Sequence, residues 1–136
     1  MRTEELTMCD ISHIISNKEK DLFQIEFYSK ENGETPFWDY FETLNPKMQS
    51  RVFWTINLLK AAGPNLREPY SAPLSDGFFE LRAKQGSDIV RCLYFFLKGH
   101  IVILTNGFTK KTNKTPRKEI EKAKRYRADW MRRYNL

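Results

Sequence analysis

From Phe79 to Phe108 the apolar positions read as strands, whereas those after Pro36, Pro46 and Pro116 follow a period near 3.6. Phe79, Leu81 and Ala83 alternate with Glu80, Arg82 and Lys84, which predicts a strand with one apolar and one charged face. Ile89 to Leu97 is almost continuously apolar apart from Arg91, and His100 to Phe108 is rich in Ile, Val and Leu, so both read as central strands covered on two faces. Lys98-Gly99 and the Gly86-containing stretch from Lys84 to Asp88 are short joins of the hairpin kind, so the three segments are expected as an antiparallel meander. Leu22 to Lys30 alternates as well, with Phe23, Ile25 and Phe27 on one side and Gln24, Glu26 and Tyr28 on the other. Alternation places Arg91 with Ile89, Leu93 and Phe95. A guanidinium there must either meet a carboxylate or emerge where something anionic comes.

The helical period appears first after Thr35-Pro36, where the hydroxyl is expected to cap a short helix to about Leu44. Asn45-Pro46 repeats the signal and opens a longer helix with Met48, Val52, Ile56 and Leu59 on one stripe and Lys47, Arg51 and Lys60 elsewhere, ended by Gly63-Pro64. The two are expected as an antiparallel pair whose aromatics, Phe37, Trp38, Phe41, Phe53 and Trp54, serve core and helix packing rather than base stacking. Leu66 to Ser75, with Pro69 and Pro73, reads as an extended loop. Thr115 is expected to cap a last helix with Pro116 in its first turn. That helix runs to about Arg133, with Ile120, Ala123, Arg127, Trp130 and Tyr134 on one stripe and basic residues over the rest. The pattern describes an α+β domain over residues 22–136: an antiparallel-dominated twisted sheet, an N-terminal helical pair packed on it and a C-terminal basic helix. Residues 1–21, with Ile11, Ile14 and Ile15 as the sole helical hint, read as a poorly ordered extension or a short helix, and Met8 offers an alternative start.

Charge changes this picture more than composition does. Residues 1–81 hold 8 Lys and Arg against 13 Asp and Glu, whereas residues 82–136 hold 15 against 4, so a net −5 precedes a net +11. A basic half of this density attracts polyanions, with nucleic acid the commonest partner; a solvated basic face or an acidic protein partner are the alternatives. No run approaches the roughly 18–20 apolar residues of a membrane span, and the first residues lack a signal-peptide order, so the expected location is the cytoplasm, with no membrane partner. Cys9 and Cys92, without Cys-x-x-Cys spacing, are expected as a free surface thiol and a small core hydrophobe.

Five stretches together carry a family resemblance: Gly-Pro-Asn-Leu-Arg-Glu-Pro-Tyr (63–70), Leu-Ser-Asp-Gly-Phe-Phe-Glu-Leu-Arg (74–82), Ile-Val-Arg-Cys-Leu-Tyr-Phe (89–95), Gly-Phe-Thr-Lys-Lys-Thr-Asn-Lys-Thr-Pro (107–116) and Glu-Ile-Glu-Lys-Ala (119–123). In order and spacing they resemble the phage-derived Gp49-like, HigB-type branch of the RelE toxin superfamily. The resemblance implies a small RelE-like fold and the toxin of a type II toxin-antitoxin pair. It further implies an endoribonuclease that cleaves messenger RNA on the ribosome and is restrained by a helix-turn-helix antitoxin of the HigA/Xre kind. Arg91 corresponds to the family's transition-state arginine, and Lys110, Lys111 and Lys114 belong to its basic turn; Glu80 and Arg82 correspond to its Glu-Leu-Arg motif.

Cleavage of RNA by its own 2′-hydroxyl needs a base, positive charge on the phosphorane-like transition state and an acid for the leaving oxygen, and needs no metal or cofactor. His13 and His100 are far apart and no carboxylate cluster has ligand spacing, so no metal site is expected. The candidate catalytic cations are Arg82, Arg91, Lys110 and Lys111, with Lys84, Lys114, Arg117 and Lys118 as RNA-binding positions. The competing reading is that Glu80 and Arg82 pair with neighbouring strands and hold the sheet together. Where RelE-type toxins carry a tyrosine after the basic turn, this chain has Thr115-Pro116, which leaves the acid and base unassigned; Tyr94 is expected in the core, and Tyr126 lacks positional support. A non-catalytic RNA- or ribosome-binding protein on the same fold is the alternative function.

Overall fold

The computed structural model describes residues 22–109 and 114–136. The extension at 1–21 and the candidate residues Lys110 and Lys111 lie outside the described residues. In chain order the elements are β1 (Gln24–Phe27), α1 (Pro36–Phe41), α2 (Pro46–Ala62), β2 (Ser71–Pro73), β3 (Phe79–Gln85), β4 (Asp88–Leu97), β5 (Ile101–Thr109) and α3 (Arg117–Arg133). They form one five-stranded sheet in the order β1-β5-β4-β3-β2. The meander β3-β4-β5 is antiparallel, as the short glycine joins require, and β1 adds to β5 in parallel, with Gln24 opposite Ile101.

Helices cover both faces. On one, Phe37 and Phe41 of α1 and Val52, Ile56 and Leu59 of α2 pack on Leu81, Val90, Cys92, Tyr94 and Leu104. On the other, Ala123 and Trp130 of α3 pack on Phe78, Leu93, Phe95 and Ile103. Full burial of each such aliphatic or aromatic side chain contributes about 1.5–3 kcal/mol. Covering both faces moves Tyr28 from the polar side the alternation gave it into the second core, where it is 3% exposed. Cys92 is a core residue, and burial pushes its thiol up to about 12.

Asn45 caps α2 by accepting from the Met48 amide at 2.9 Å, and Gly63 ends it at φ 55°. The other two expected caps differ. Thr35 occupies the N-cap of α1 without using its hydroxyl, and Pro116, not Thr115, is the N-cap of α3. Thr115 is drawn away because its hydroxyl donates to a buried carboxylate, that of Glu80. The expected loop after Leu66 contains β2, three residues paired with Phe79–Leu81. Trp54, expected to pack, is 44% exposed, and Tyr134, on the stripe expected for the last helix, is 53% exposed with its ring 4.7 Å from that of Trp130. Trp54 stands two residues, or about 200° of helix turn, from Val52 of the buried stripe.

One irregularity positions the second face. Cys92 faces Gly107 and Tyr94 faces Leu104, so Thr105 and Asn106 together oppose Leu93 as a bulge. The extra residue resets alternation in β5 and brings Phe108 opposite Arg91. It also aims Asn106 at α3, where its amide donates to Glu119 Oε1 at 3.1 Å.

Candidate nucleic-acid interface

Arg82 and Arg91 lie directly opposite one another on β3 and β4, so two guanidiniums share one patch of the α3 face of the sheet. Like charges facing each other across strands repel. Glu80, two residues before Arg82, answers this. Its Oε2 accepts from Arg82 Nε at 2.5 Å and from Arg91 Nη1 at 2.8 Å, while its Oε1 accepts from the Thr115 hydroxyl. Glu80 and Arg91 are 1% and 2% exposed. A buried ion of either sign is tolerated only when paired and hydrogen-bonded, and this carboxylate has three donors on its two oxygens. The Arg82 side chain keeps 27% of its surface and also approaches Glu68 at 3.9 Å. Of the two outcomes open to Arg91, the fold takes the carboxylate, and the guanidinium that reaches the surface is that of Arg82.

Lys84 follows Arg82 along β3, beyond the point where β2 stops pairing. Arg82 itself still donates its amide to Tyr70 O at 2.8 Å. Between this edge and α2 lies a cleft of about 620 Å³ lined by Arg51, Thr55, Tyr70, Arg82, Lys84 and Gln85, among others, and none of its described lining residues is acidic. A second hollow, about 700 Å³, lies at the start of α3 and includes Lys114, Arg117 and Lys124. There Asp76, 3.1 Å away and hydrogen-bonded, holds the Lys124 ammonium above the usual lysine range, so that hollow mixes both signs. The candidate cations therefore divide: Arg82 and Lys84 share the first cleft, Lys114 and Arg117 the second, and Lys118 is exposed on the first turn of α3. Thr115 links the two regions through Glu80.

The tyrosines sort clearly. Tyr94 is buried with its hydroxyl 2.5 Å from Ser71 Oγ, as expected of a core residue, and Tyr126 stacks on Tyr28 at 4.6 Å. Tyr40 was not foreseen in any role. Its hydroxyl lies 2.5 Å from Thr109 Oγ1 at the end of β5, and its ring crosses Gly107 so closely that a Cβ there would come within 2.8 Å. Burial pushes the Tyr40 hydroxyl above the usual phenol range, so it stays protonated and anchors the strand end. Among the described residues no group of three or more His, Cys, Asp and Glu could hold a metal ion. No described helix is long and apolar enough to cross a membrane.

The family model for "Phage derived protein Gp49-like (DUF891)" matches residues 39–128, from α1 to the last third of α3. The chain belongs to the Gp49-like family, a RelE-type toxin family. The match takes in every residue of the Glu80 cluster and of both hollows, and stops short of β1 and of the Asp129 and Arg133 side chains that tie α3 to Tyr28 and Ser29 just after that strand. No curated protein matches the chain. The missed contributors, Arg51, Tyr70 and Thr115, all lie within the Gp49-like region. The signal that could have found Arg51 is its place outside the apolar stripe of α2.

Proposed function

We propose that this chain is the toxin of a type II toxin-antitoxin pair and that it cleaves messenger RNA on the ribosome, restrained by a helix-turn-helix antitoxin. Membership of a RelE-type toxin family supports the toxin role. The observation that carries the ribonuclease reading is the Glu80-braced Arg82 beside Lys84, at the rim of a cleft with no acidic residue among its described lining. In the reaction a ribose 2′-oxygen attacks the adjacent phosphorus and the bond to the 5′-oxygen breaks. The products are a cyclic phosphate and a 5′-hydroxyl, the proton lost from the former being balanced by one gained by the latter. Charge accumulates on the phosphoryl oxygens between these events, and a cation fixed in advance stabilises it most. Arg82 is fixed by Glu80, and Arg91, buried behind it, is a positioning residue that holds Glu80. Lys84 adds to the positive field, and Lys110 and Lys111 are proposed for the same role from the sequence alone. Lys114, Arg117 and Lys118 meet flanking phosphates.

The test is inducible expression with primer extension on cellular messages. Wild type should arrest growth and leave discrete cleavage ends. Arg82→Ala should lower cleavage by about 10²- to 10³-fold, the scale for removing one transition-state donor, while still sedimenting with ribosomes. Equal growth with wild type and variant, and no new ends with either, overturns the nuclease reading. Burial of Arg91 favours one second reading, a non-catalytic RNA- or ribosome-binding protein, in which wild type sediments with ribosomes and halts growth without producing ends.

A further inference from the structure

Lys47, Arg51 and Trp54 have no part in either core. On α2, Lys47, Arg51 and Trp54 stand at i, i+4 and i+7 and therefore share one helix face, about 10 Å long. All three are exposed. The Arg51 guanidinium lies 4.9 Å from the Trp54 ring centroid, and the Tyr70 ring meets that indole edge-on at 5.7 Å. A hollow of about 380 Å³ lined by Lys47, Ser50, Arg51, Trp54 and Gln85 adjoins the cleft at the sheet edge, since Arg51 and Gln85 line both. The two form one groove from Arg82 and Lys84 around the edge of the sheet to Trp54. Its described lining carries four cations and no carboxylate.

We propose that this groove is the track of single-stranded RNA flanking the cleaved phosphate, with one base stacked at Trp54 and Tyr70 and backbone phosphates on Lys47, Arg51 and Lys84. The proposal rests on the reading that the Arg82–Lys84 edge holds RNA. An exposed indole beside a planar guanidinium is a surface for any base, because every base has a π face, and interleaved cations track the backbone. The sharing of lining residues supplies continuity, so a strand held at Arg82 is led past Arg51 to Trp54. An acidic protein segment is the competing occupant.

The experiment titrates the full-length chain into a short fluorescein-labelled single-stranded RNA of mixed sequence and reads anisotropy at several salt concentrations, with a labelled poly-glutamate peptide in parallel. Trp54→Ala should weaken RNA binding by about 5- to 150-fold, the range of one base–aromatic stack. Trp54→Phe should restore most of it. Lys47→Ala with Arg51→Ala should make the dependence of log affinity on log salt shallower by about 1 to 2. Far-UV circular dichroism confirms that these surface variants stay folded. RNA binding by Trp54→Ala at wild-type affinity, with Arg82→Ala impaired, overturns the track and leaves the cleavage reading intact. Failure of wild type to bind RNA overturns the track, while the cleavage reading stands or falls on the primer-extension ends. Dependence of the peptide but not the RNA on Trp54 assigns the groove to an acidic protein and overturns the proposal.

Discussion

Replacing Glu80 with alanine takes one carboxylate from between two guanidiniums, and the consequence can be worked out from the burial of each partner. The Arg91 side chain is 3% exposed and the Glu80 side chain 1%. Removing one member of a buried pair costs about 3–5 kcal/mol, most of it the penalty of keeping the other ion dehydrated. The Arg82 contact adds little, because that side chain is 27% exposed and water can replace the lost acceptor. For a chain of this size about 3–4 °C in Tm accompanies each kcal/mol, so Glu80→Ala should melt about 10–20 °C below wild type. Arg91→Met should cost less, since Glu80 keeps Arg82 at 2.5 Å and the Thr115 hydroxyl. The double variant removes both buried charges and should recover much of the loss, giving a coupling of about 2 kcal/mol or more in urea titrations read by tryptophan fluorescence. A loss below about 1 kcal/mol for Glu80→Ala, or strict additivity in the cycle, would refute the account of Arg91 as a buried ion held by this carboxylate.

Burial and the neighbouring Asp129 push the Tyr28 hydroxyl up to about 12 from an ordinary value of 10.0, while Asp129, accepting from Tyr28 at 2.6 Å, sits below its usual range. The folded state therefore holds the Tyr28 proton more tightly than the unfolded chain, so stability should be full below about pH 10 and fall between about 10 and 12. Alkaline denaturation of Tyr28→Phe should show a flatter profile in that window, and a profile unchanged from wild type would refute the assignment. At Gly63, with φ 55°, a Cβ would approach the Phe23 ring to 2.2 Å. Gly63→Ala should lose about 2–4 kcal/mol through backbone strain and overpacking together, read by the urea midpoint, and a neutral result would show that Phe23 moves aside freely.

The central meander, the entry points of the helices and the need of Arg91 for a partner are legible in the residues because each depends on neighbours in sequence. Alternation puts Arg91 on the face shared with Ile89 and Leu93, and the cost of a bare buried charge does the rest. The identity of the partner is not legible. It depends on the register that sets Arg82 opposite Arg91 and so leaves Glu80 on the diagonal. The bulge at Thr105–Asn106 is equally invisible, since one added residue leaves an apolar run looking the same while it changes which face Phe108 occupies. β2 is three residues with a proline and falls below the length at which a period can be recognised. Trp54 is misread as packing because hydrophobicity alone does not tell the covered stripe of a helix from its open side, and the polar positions of Lys47 and Arg51 on that side were the better guide. Thr115 and Pro116 form a familiar cap signal that a buried carboxylate on another element overrides.

The pairing of β1 with β5 also sets when this protein becomes itself. Gln24 finds Ile101 and Phe27 finds Leu104 only after nearly the whole chain has been made, and a parallel contact of such separation carries a large loop-closure entropy. At roughly 5–20 residues per second of synthesis, the first strand waits seconds for its partner. The acidic first half is made before the basic half. Closure of the sheet at its β1 edge therefore waits on β5, the last strand to be made.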